Sequence, residues 1–387
     1  MIYPLVELKN ISKFINGFAF KPEHWGENGK PIIRIQNLTN TSKPFNRTTI
    51  EVDEKYFVKS GDILVSWSAT LDVFEWKTED ALLNQHIFKV VPDYKIIDKR
   101  YFKYALKESI LSMLKFTRGS TMKHINRGDF LATKIPLPPL ETQKQIALVL
   151  ETVDQLRKDC QQVEQELNAL AQSVFLEMLG DPVINPKKWQ MTTVGDVVSI
   201  IRDGPHVSPN YSETGYPILS TRNIRPSQLI LNDVKFVSEE TYNALTSRFK
   251  PQKGDVLLTK GGTTGYAKHV DFDWPFAIWV HLACLRPNDK ILPEFLESVL
   301  NTPNCYKQSQ MHTRGIANKD LGLTRIIKIN FALPPLALQK KFITIKNEID
   351  TQLNLLKDKS KYHDDLFNAL LQKAFKGELE LKSSEQA

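Results

Sequence analysis

The rhythm of apolar and polar positions changes three times along the 387 residues. Through residues 1–139, and again through 181–335, short apolar runs such as 62–67 and 255–259 are set off by Gly, Pro, Asn and Asp. That pattern predicts strands joined by turns. Shorter helices are predicted among them over 99–114 and 293–301. Through 140–180 the rhythm is different. Ile146, Leu150, Val153, Leu156, Cys160, Val163, Leu167, Leu170 and Val174 step mostly by three and four, which predicts one long helix with a heptad seam. Gly180-Asp181-Pro182 has the chemistry to stop it. From residue 336 a second such helix is predicted, with Ile345, Ile349, Leu353, Leu356, His363, Leu366, Leu370 and Ala374 on its seam and Gly377 at its end. A helix of about 40 residues is ~60 Å long and cannot bury its apolar stripe alone. Its natural partner is its own duplicate, packed antiparallel about a pseudo-twofold axis.

The chain is written twice. Ile135-Pro136-Leu137-Pro138-Pro139-Leu140-Glu141-Thr142-Gln143-Lys144 returns 196 positions later as Phe331-Ala332-Leu333-Pro334-Pro335-Leu336-Ala337-Leu338-Gln339-Lys340. Thr117-Arg118-Gly119 returns at the same offset as Thr313-Arg314-Gly315. Lys59-Ser60-Gly61-Asp62-Ile63-Leu64 becomes Gln252-Lys253-Gly254-Asp255-Val256-Leu257, and Ile35-Gln36-Asn37-Leu38 becomes Thr221-Arg222-Asn223-Ile224. His86 returns as His281, and order is kept throughout. A period near 200 residues is too long for a solenoid and means a duplicated domain-plus-helix. The fold class that follows is α+β. Two similar globular domains, 1–139 and 181–335, are joined by two long antiparallel coiled-coil helices, 140–180 and 336–387.

Two mixed domains, each followed by a Leu-Pro-Pro-Leu-x-x-Gln linker and a long helix, resemble the specificity subunit of type I restriction–modification systems. The resemblance covers nearly the whole chain. It rests on Pro136-Leu137-Pro138-Pro139-Leu140 with Gln143 and Ile146, on Leu333-Pro334-Pro335-Leu336 with Gln339, on the Gly-Asp openers at 61–62 and 254–255, and on Arg118-Gly119 and Arg314-Gly315. The resemblance implies a cytoplasmic reader of double-stranded DNA in which each domain is a target-recognition domain for one half-site. It further implies helices that act as a ruler and dock two copies of an adenine methyltransferase subunit. Gln143, Ile146, Leu150, Gln339, Phe342 and Ile345 are then the candidate docking positions. S-adenosylmethionine is expected in that partner and no cofactor in this chain; a translocating restriction subunit can join. Because the two domains differ in sequence, their half-sites should differ as well.

Charge fits a polyanion held at two places. The net +7 is unevenly spread: residues 1–139 carry 21 basic and 15 acidic side chains, and 181–335 carry 18 and 14. The intervening 140–180 carries 3 and 7. Three widely spaced cysteines, Cys160, Cys284 and Cys305, fit neither a disulfide framework nor a zinc site. No run of 18 apolar residues spans a membrane.

Candidate DNA contacts follow from side-chain chemistry. The stretch around Arg118, with Ser120, Thr121, Lys123 and Asn126, mixes cations, hydroxyls and an amide around a glycine. Its counterpart holds Arg314, Asn318 and Lys319. Both suit phosphate gripping and base-edge hydrogen bonding. Arg34 with Asn37, and Arg222 with Asn223, stand after apolar runs at expected strand ends, where Arg pairs with guanine and Asn or Gln with adenine. The alternative for these is a turn asparagine and an edge arginine. Lys260-Gly261-Gly262-Thr263-Thr264-Gly265 lacks phosphate-loop spacing and reads instead as a loop approaching the DNA backbone through Lys260 and Thr263. His86 and His281 read as structural hydrogen-bonding residues, and His363 as a polar register device in the seam.

Neither the glycine-rich turn nor the Asn/Asp-Pro-Pro-aromatic loop of an adenine methyltransferase is present. Asp62 with Glu75-Trp76-Lys77 has the spacing of a metal-dependent nuclease, but the second copy offers Asp255 with Asp271-Phe272-Asp273 and no lysine. Such a nuclease in the first domain, or a protein-bridging scaffold, are the alternatives to a non-catalytic reader.

Overall fold

The computed structural model of the chain describes residues 3–40, 42–68, 70–116, 127–315 and 319–381. It divides into two compact units: Met1–Gln162 with Leu356–Ala387, and Val163–Leu355. Each unit therefore takes in one globular domain and a part of both long helices.

In the first unit a four-stranded antiparallel sheet runs in the order Ser12–Asn16, Ile87–Pro92, Ile63–Ser66, Asp72–Glu75. A second sheet runs Asn46–Thr48, Lys30–Ile33, Ala81–Leu83, Phe57–Val58, with one parallel pair between Lys30–Ile33 and Ala81–Leu83. The helix Lys99–Phe116 covers the first sheet. Its Tyr101, Phe102, Tyr104 and Leu106 are buried with Leu8, Phe88 and Phe130 in the main core. Each fully buried ring or branched chain there is worth about 1.5–3 kcal/mol relative to exposure. The Tyr101 hydroxyl donates to the Pro136 carbonyl at 2.7 Å, so a buried phenol keeps its partner and ties the helix to the closing strand. That strand, Lys134–Pro136, pairs antiparallel with Leu5–Glu7 and brings the two ends of the domain together just before the Pro-Pro step.

The second unit repeats the plan. Val198–Asp203, Leu282–Pro287, Val256–Thr259 and Ala267–His269 form the first sheet. Tyr211–Ser212, Lys235–Val237, Tyr216–Leu219 and Ala277–Ile278 form the second, again with one parallel pair. Gln190–Thr193 pairs with Asn330–Leu333 as the closing ribbon. Pro293–Leu300 is the covering helix. One repeated position is visible only in three dimensions. A Cβ on Gly17 would sit 2.0 Å from the Asn84 carbonyl oxygen, and one on Gly204 would sit 2.1 Å from that of Ile278. The first strand of each main sheet leaves it by passing against the backbone where a strand of the second sheet runs out into the loop between the sheets.

The long helices are Leu140–Leu179 and Leu336–Lys376. Both end at glycines with positive φ, +76° at Gly180 and +77° at Gly377, as the stop chemistry predicts. The first seam differs from the sequence reading. Ile146, Leu150, Val153 and Cys160 are buried, but Leu156, Val163 and Leu170 are exposed; the inward positions are Arg157, Glu164 and Ala171, one residue on. The cause is substitution of polar or small residues at true seam positions, which makes the neighbouring leucines and valine look like the seam. In the first unit Arg157 binds Asp364 at 2.6 Å and lies over the Phe367 ring, while Cys160 Sγ is 3.4 Å from His363 Nδ1. Residue numbers rise on one helix as they fall on the other, so these segments run antiparallel. In the second unit Phe175 meets Phe342 edge-on at 5.2 Å.

Candidate nucleic-acid interface

In the second unit, four connections meet at one end of the main sheet, where Asp203 and Thr259 end strands and Ala267 and Leu282 begin them. The loop 260–265 is built against residues 313–315 and 319–321. Gly262 N–H donates to the Lys319 carbonyl at 2.9 Å, Leu321 N–H to the Lys260 carbonyl at 2.7 Å, and the Thr264 and Thr313 hydroxyls are 2.9 Å apart. Arg314 and Asp320 exchange both backbone bonds. The two motifs, which begin 53 positions apart at Lys260 and Thr313, are thus one platform. Residues 279–281 join it: the His281 carbonyl accepts from the N–H groups of Lys260 and Gly261, and Trp279 N–H donates to the Leu219 carbonyl. Leu219 leads directly into the turn Thr221–Asn223.

Two of these connections recur among the described residues of the first unit. Asn84 N–H donates to the Ile33 carbonyl, just before the segment 34–37, and the His86 carbonyl accepts from Trp67 N–H. In both repeats the bond that recurs belongs to the histidine's backbone carbonyl rather than its ring. The His86 ring lies beside Trp67, which stacks on Phe88.

Within this frame the sequence candidates separate. Thr263, Arg314, Lys319 and Arg222 are exposed, and among the described residues no carboxylate pairs with the three cations. Lys260 is different. Its ammonium is buried between Asp203 at 3.1 Å and Asp320 at 3.5 Å, so it braces the platform instead of facing solvent. Arg34 lies over the Trp25 ring at 4.8 Å and reaches Asn46. Asn37 and Asn223 are buried, at 1% and 2% exposure. Asn37 accepts from Arg34 N–H and donates to the carbonyls of Lys43 and Pro44; Asn223 accepts from Ser220 and donates to the Ile230 carbonyl. These two asparagines are buried clamps of their turns, facing their own backbone instead of solvent, which corrects their reading as contacts. Arg118, Ser120, Thr121, Lys123, Asn126 and Asn318 lie outside the described residues.

The docking reading is corrected in the same way. Gln143 is fully buried: its Oε1 accepts from Asp98 N–H at 2.7 Å, and its Nε2 donates to the carbonyls of Ile96 and Pro138. Gln339 repeats this with Leu292 N–H and the carbonyls of Lys290 and Pro334. Ile146, Leu150 and Phe342 are core residues of their own units, and Ile345 is half-buried. The exposed apolar groups of the first long helix are instead Leu148 and Leu156 in the first unit, and Val163, Leu170 and Leu176 in the second.

The nuclease-like spacing also has a structural explanation. Asp62 accepts from Lys59 N–H and pairs with Lys89 at 2.9 Å, a turn brace that Asp255 repeats with Gln252 N–H and a two-oxygen pairing to Arg286. Burial disfavours the Glu75 charge, but ion pairs to Lys99 and Lys103 outweigh it and hold its pKa below the ordinary value. Both carboxylates are neutralised by lysines of their own unit.

A family model for the type I restriction–modification DNA specificity domain matches residues 3–169 and 186–361. The specificity subunit of the type I restriction enzyme EcoBI from Escherichia coli is 25% identical over 417 residues, covering 97% of this chain and 85% of that one. The MjaVIII specificity subunit from Methanocaldococcus jannaschii is 23% identical over 335 residues, covering 82% and 78%. Among solved structures, the S subunit of a type I restriction–modification system from M. genitalium superposes with a TM-score of 0.59 at 15% identity, covering 98% of this chain and 97% of that one. A chain from work on assembly and conformational transition of the type I R-M system gives 0.56 at 17% identity, covering 97% and 98%. At such identities the likeness to both structures is one of fold.

Proposed function

The chain belongs to the type I restriction–modification DNA specificity family, and from that premise we propose that it reads a split, asymmetric DNA target with one half-site per repeat. The observation that carries this reading is the strand-end platform of the second repeat, whose connections at Leu219 and His281 recur at Ile33 and His86 and which presents Arg222, Thr263, Arg314 and Lys319 to solvent. Exposed cations and hydroxyls on a braced backbone suit phosphate positioning first and base reading second. Residues 1–139 and 181–335 act as the recognition domains, with 140–180 and 336–387 as the spacer. By their side-chain chemistry alone, Arg118, Ser120, Thr121, Lys123, Asn126 and Asn318 stay part of this proposal as DNA contacts.

As a specificity subunit it supplies recognition and no catalysis, and it works in complex with the other subunits of its system. Two copies of an adenine methyltransferase subunit carry the chemistry with S-adenosylmethionine, and a translocating restriction subunit joins them. Leu148, Leu156, Val163 and Leu170, exposed on the first long helix, are suited to hold such partners. The complex works in the cytoplasm; among the described residues no helix is long and apolar enough to cross a membrane.

The test is a map of methylated adenines in cells with and without this chain. A split, asymmetric motif that disappears on deletion is the expected result; an unchanged map refutes the reading. In vitro, affinity of the assembled complex for its target should fall steeply between 50 and 200 mM salt, because each neutralised phosphate releases counterions. Binding that ignores salt would point to the scaffold alternative.

A further inference from the structure

The turns after Ile33 and Leu219 are built alike and differ at the tip. In each, a buried asparagine closes the turn: Asn37 bonds to Arg34, Lys43 and Pro44, and Asn223 bonds to Ser220 and Ile230. Around the first clamp, Arg34 is held by Trp25 and Asn46, and Ile35 packs into the core. Around the second, Ile224 is buried and the Arg225 guanidinium donates to the carbonyls of Thr221, Arg222 and Ile224. One long polar side chain in each turn is left pointing outward, and it is the residue just before the clamp. In the first repeat this is Gln36 and in the second Arg222, both exposed and without a side-chain hydrogen bond among the described residues.

We propose that Gln36 and Arg222 are specificity-determining residues at equivalent places in the two repeats, Gln36 reading an adenine edge in one half-site and Arg222 a guanine edge in the other. The proposal rests on the function proposed above. A reader needs a fixed backbone and a free tip, since ordering a long side chain and its loop together costs more than ordering the side chain alone. The clamps fix the backbone. The tips carry the two amino acids that pair bidentately with different purines: glutamine with N6 and N7 of adenine, arginine with O6 and N7 of guanine. One scaffold with two chemistries gives two unlike half-sites.

The experiment is the methylated-adenine map in cells carrying the chain with its modification partner, as wild type, Arg222→Gln and Gln36→Arg. For Arg222→Gln, methylation at the original motif should fall roughly tenfold to a hundredfold, the discrimination of one bidentate pair. A motif with adenine for guanine at one position of one half-site should replace it, while the other half-site and the gap stay as they were. Gln36→Arg should do the converse in the other half-site. Both variants should unfold at the wild-type temperature. Unchanged motifs overturn the proposal. So does uniform weakening without a change of base, which marks a phosphate contact, or a lowered unfolding temperature with loss of all methylation, which marks a structural residue. If the wild type gives no split motif, it is the underlying function that fails.

Discussion

Gln143 and Gln339 leave no side-chain polar atom unpaired, and each bonds to three backbone groups drawn from two separate segments. Gln143→Ala would orphan the Asp98 N–H and two carbonyls in a buried place. At about 1–3 kcal/mol for each unsatisfied group, the first unit should lose roughly 2 kcal/mol or more, measured by chemical unfolding. Gln143→Glu should be at least as harmful despite its similar shape, because a carboxylate can accept from Asp98 but has nothing to donate to Ile96 and Pro138. If the glutamate variant proves as stable as wild type, the bracket is not what the residue is for. The recurrence of this glutamine was legible in the sequence; its role was not. A repeated polar residue beside Pro-Pro looks the same whether it faces a partner or its own loop. The same ambiguity hid Asn37 and Asn223, whose amide chemistry suits adenine as well as it suits the backbone of their own turns. Gln36 could have been found without coordinates, since the fragment that aligns Asn37 with Asn223 aligns Gln36 with Arg222.

Where the covering helix meets the edge strand, the two repeats carry a carboxylate–base pair with the two partners exchanged. Asp98 N–H and Leu292 N–H both donate to the linker glutamine, so Lys103 and Glu297 are equivalent. Glu75 pairs in register with Ile63 and His269 with Val256, so these two are equivalent as well. Lys103 binds Glu75 at 3.3 Å; Glu297 binds His269 at 2.7 Å. Lys103→Glu should cost the first unit about 1–3 kcal/mol, and adding Glu75→His should recover part of it by copying the other repeat. Burial would raise the Glu297 pKa, but hydrogen bonds from His269 and the nearby Lys268 charge outweigh it and bring it down to about 2. A carboxylate depressed in the folded state stabilises above its unfolded pKa and loses that contribution as pH falls. The second unit should therefore weaken between about pH 4.5 and pH 2, and Glu297→Gln should flatten that limb of the unfolding curve. At this scale the elements themselves were readable, because the long helices, their stops and the Gly-Asp strand openers follow local rules. The first seam was not fully readable, since Arg157 and Glu164 occupy positions that periodicity assigns to apolar residues.

For the molecule as a whole, the ruler role makes a prediction in base pairs. Seven residues inserted into each long helix, after Gln162 and after Leu355, keep the heptad phase and add about 10 Å of helix. The gap in the methylated motif should lengthen by about three base pairs at ~3.4 Å each, with both half-sites unchanged. An unaltered gap would remove the ruler. The duplication was legible as ordered fragments at offsets near 196, whereas the composition of the compact units was not, because nothing in the local pattern says that residues 356–387 complete the unit begun by residue 1. That membership has a consequence in time. Ile146, Ala147, Leu150 and Val153 share a core with Phe367, Leu371 and Ala374. During synthesis, which proceeds at roughly 5–20 residues per second, the segment up to Gln162 must wait with this surface uncovered until Leu356–Lys376 emerges. The unit spanning 163–355 can meanwhile close from its own residues, so the domain translated first is the one that matures last.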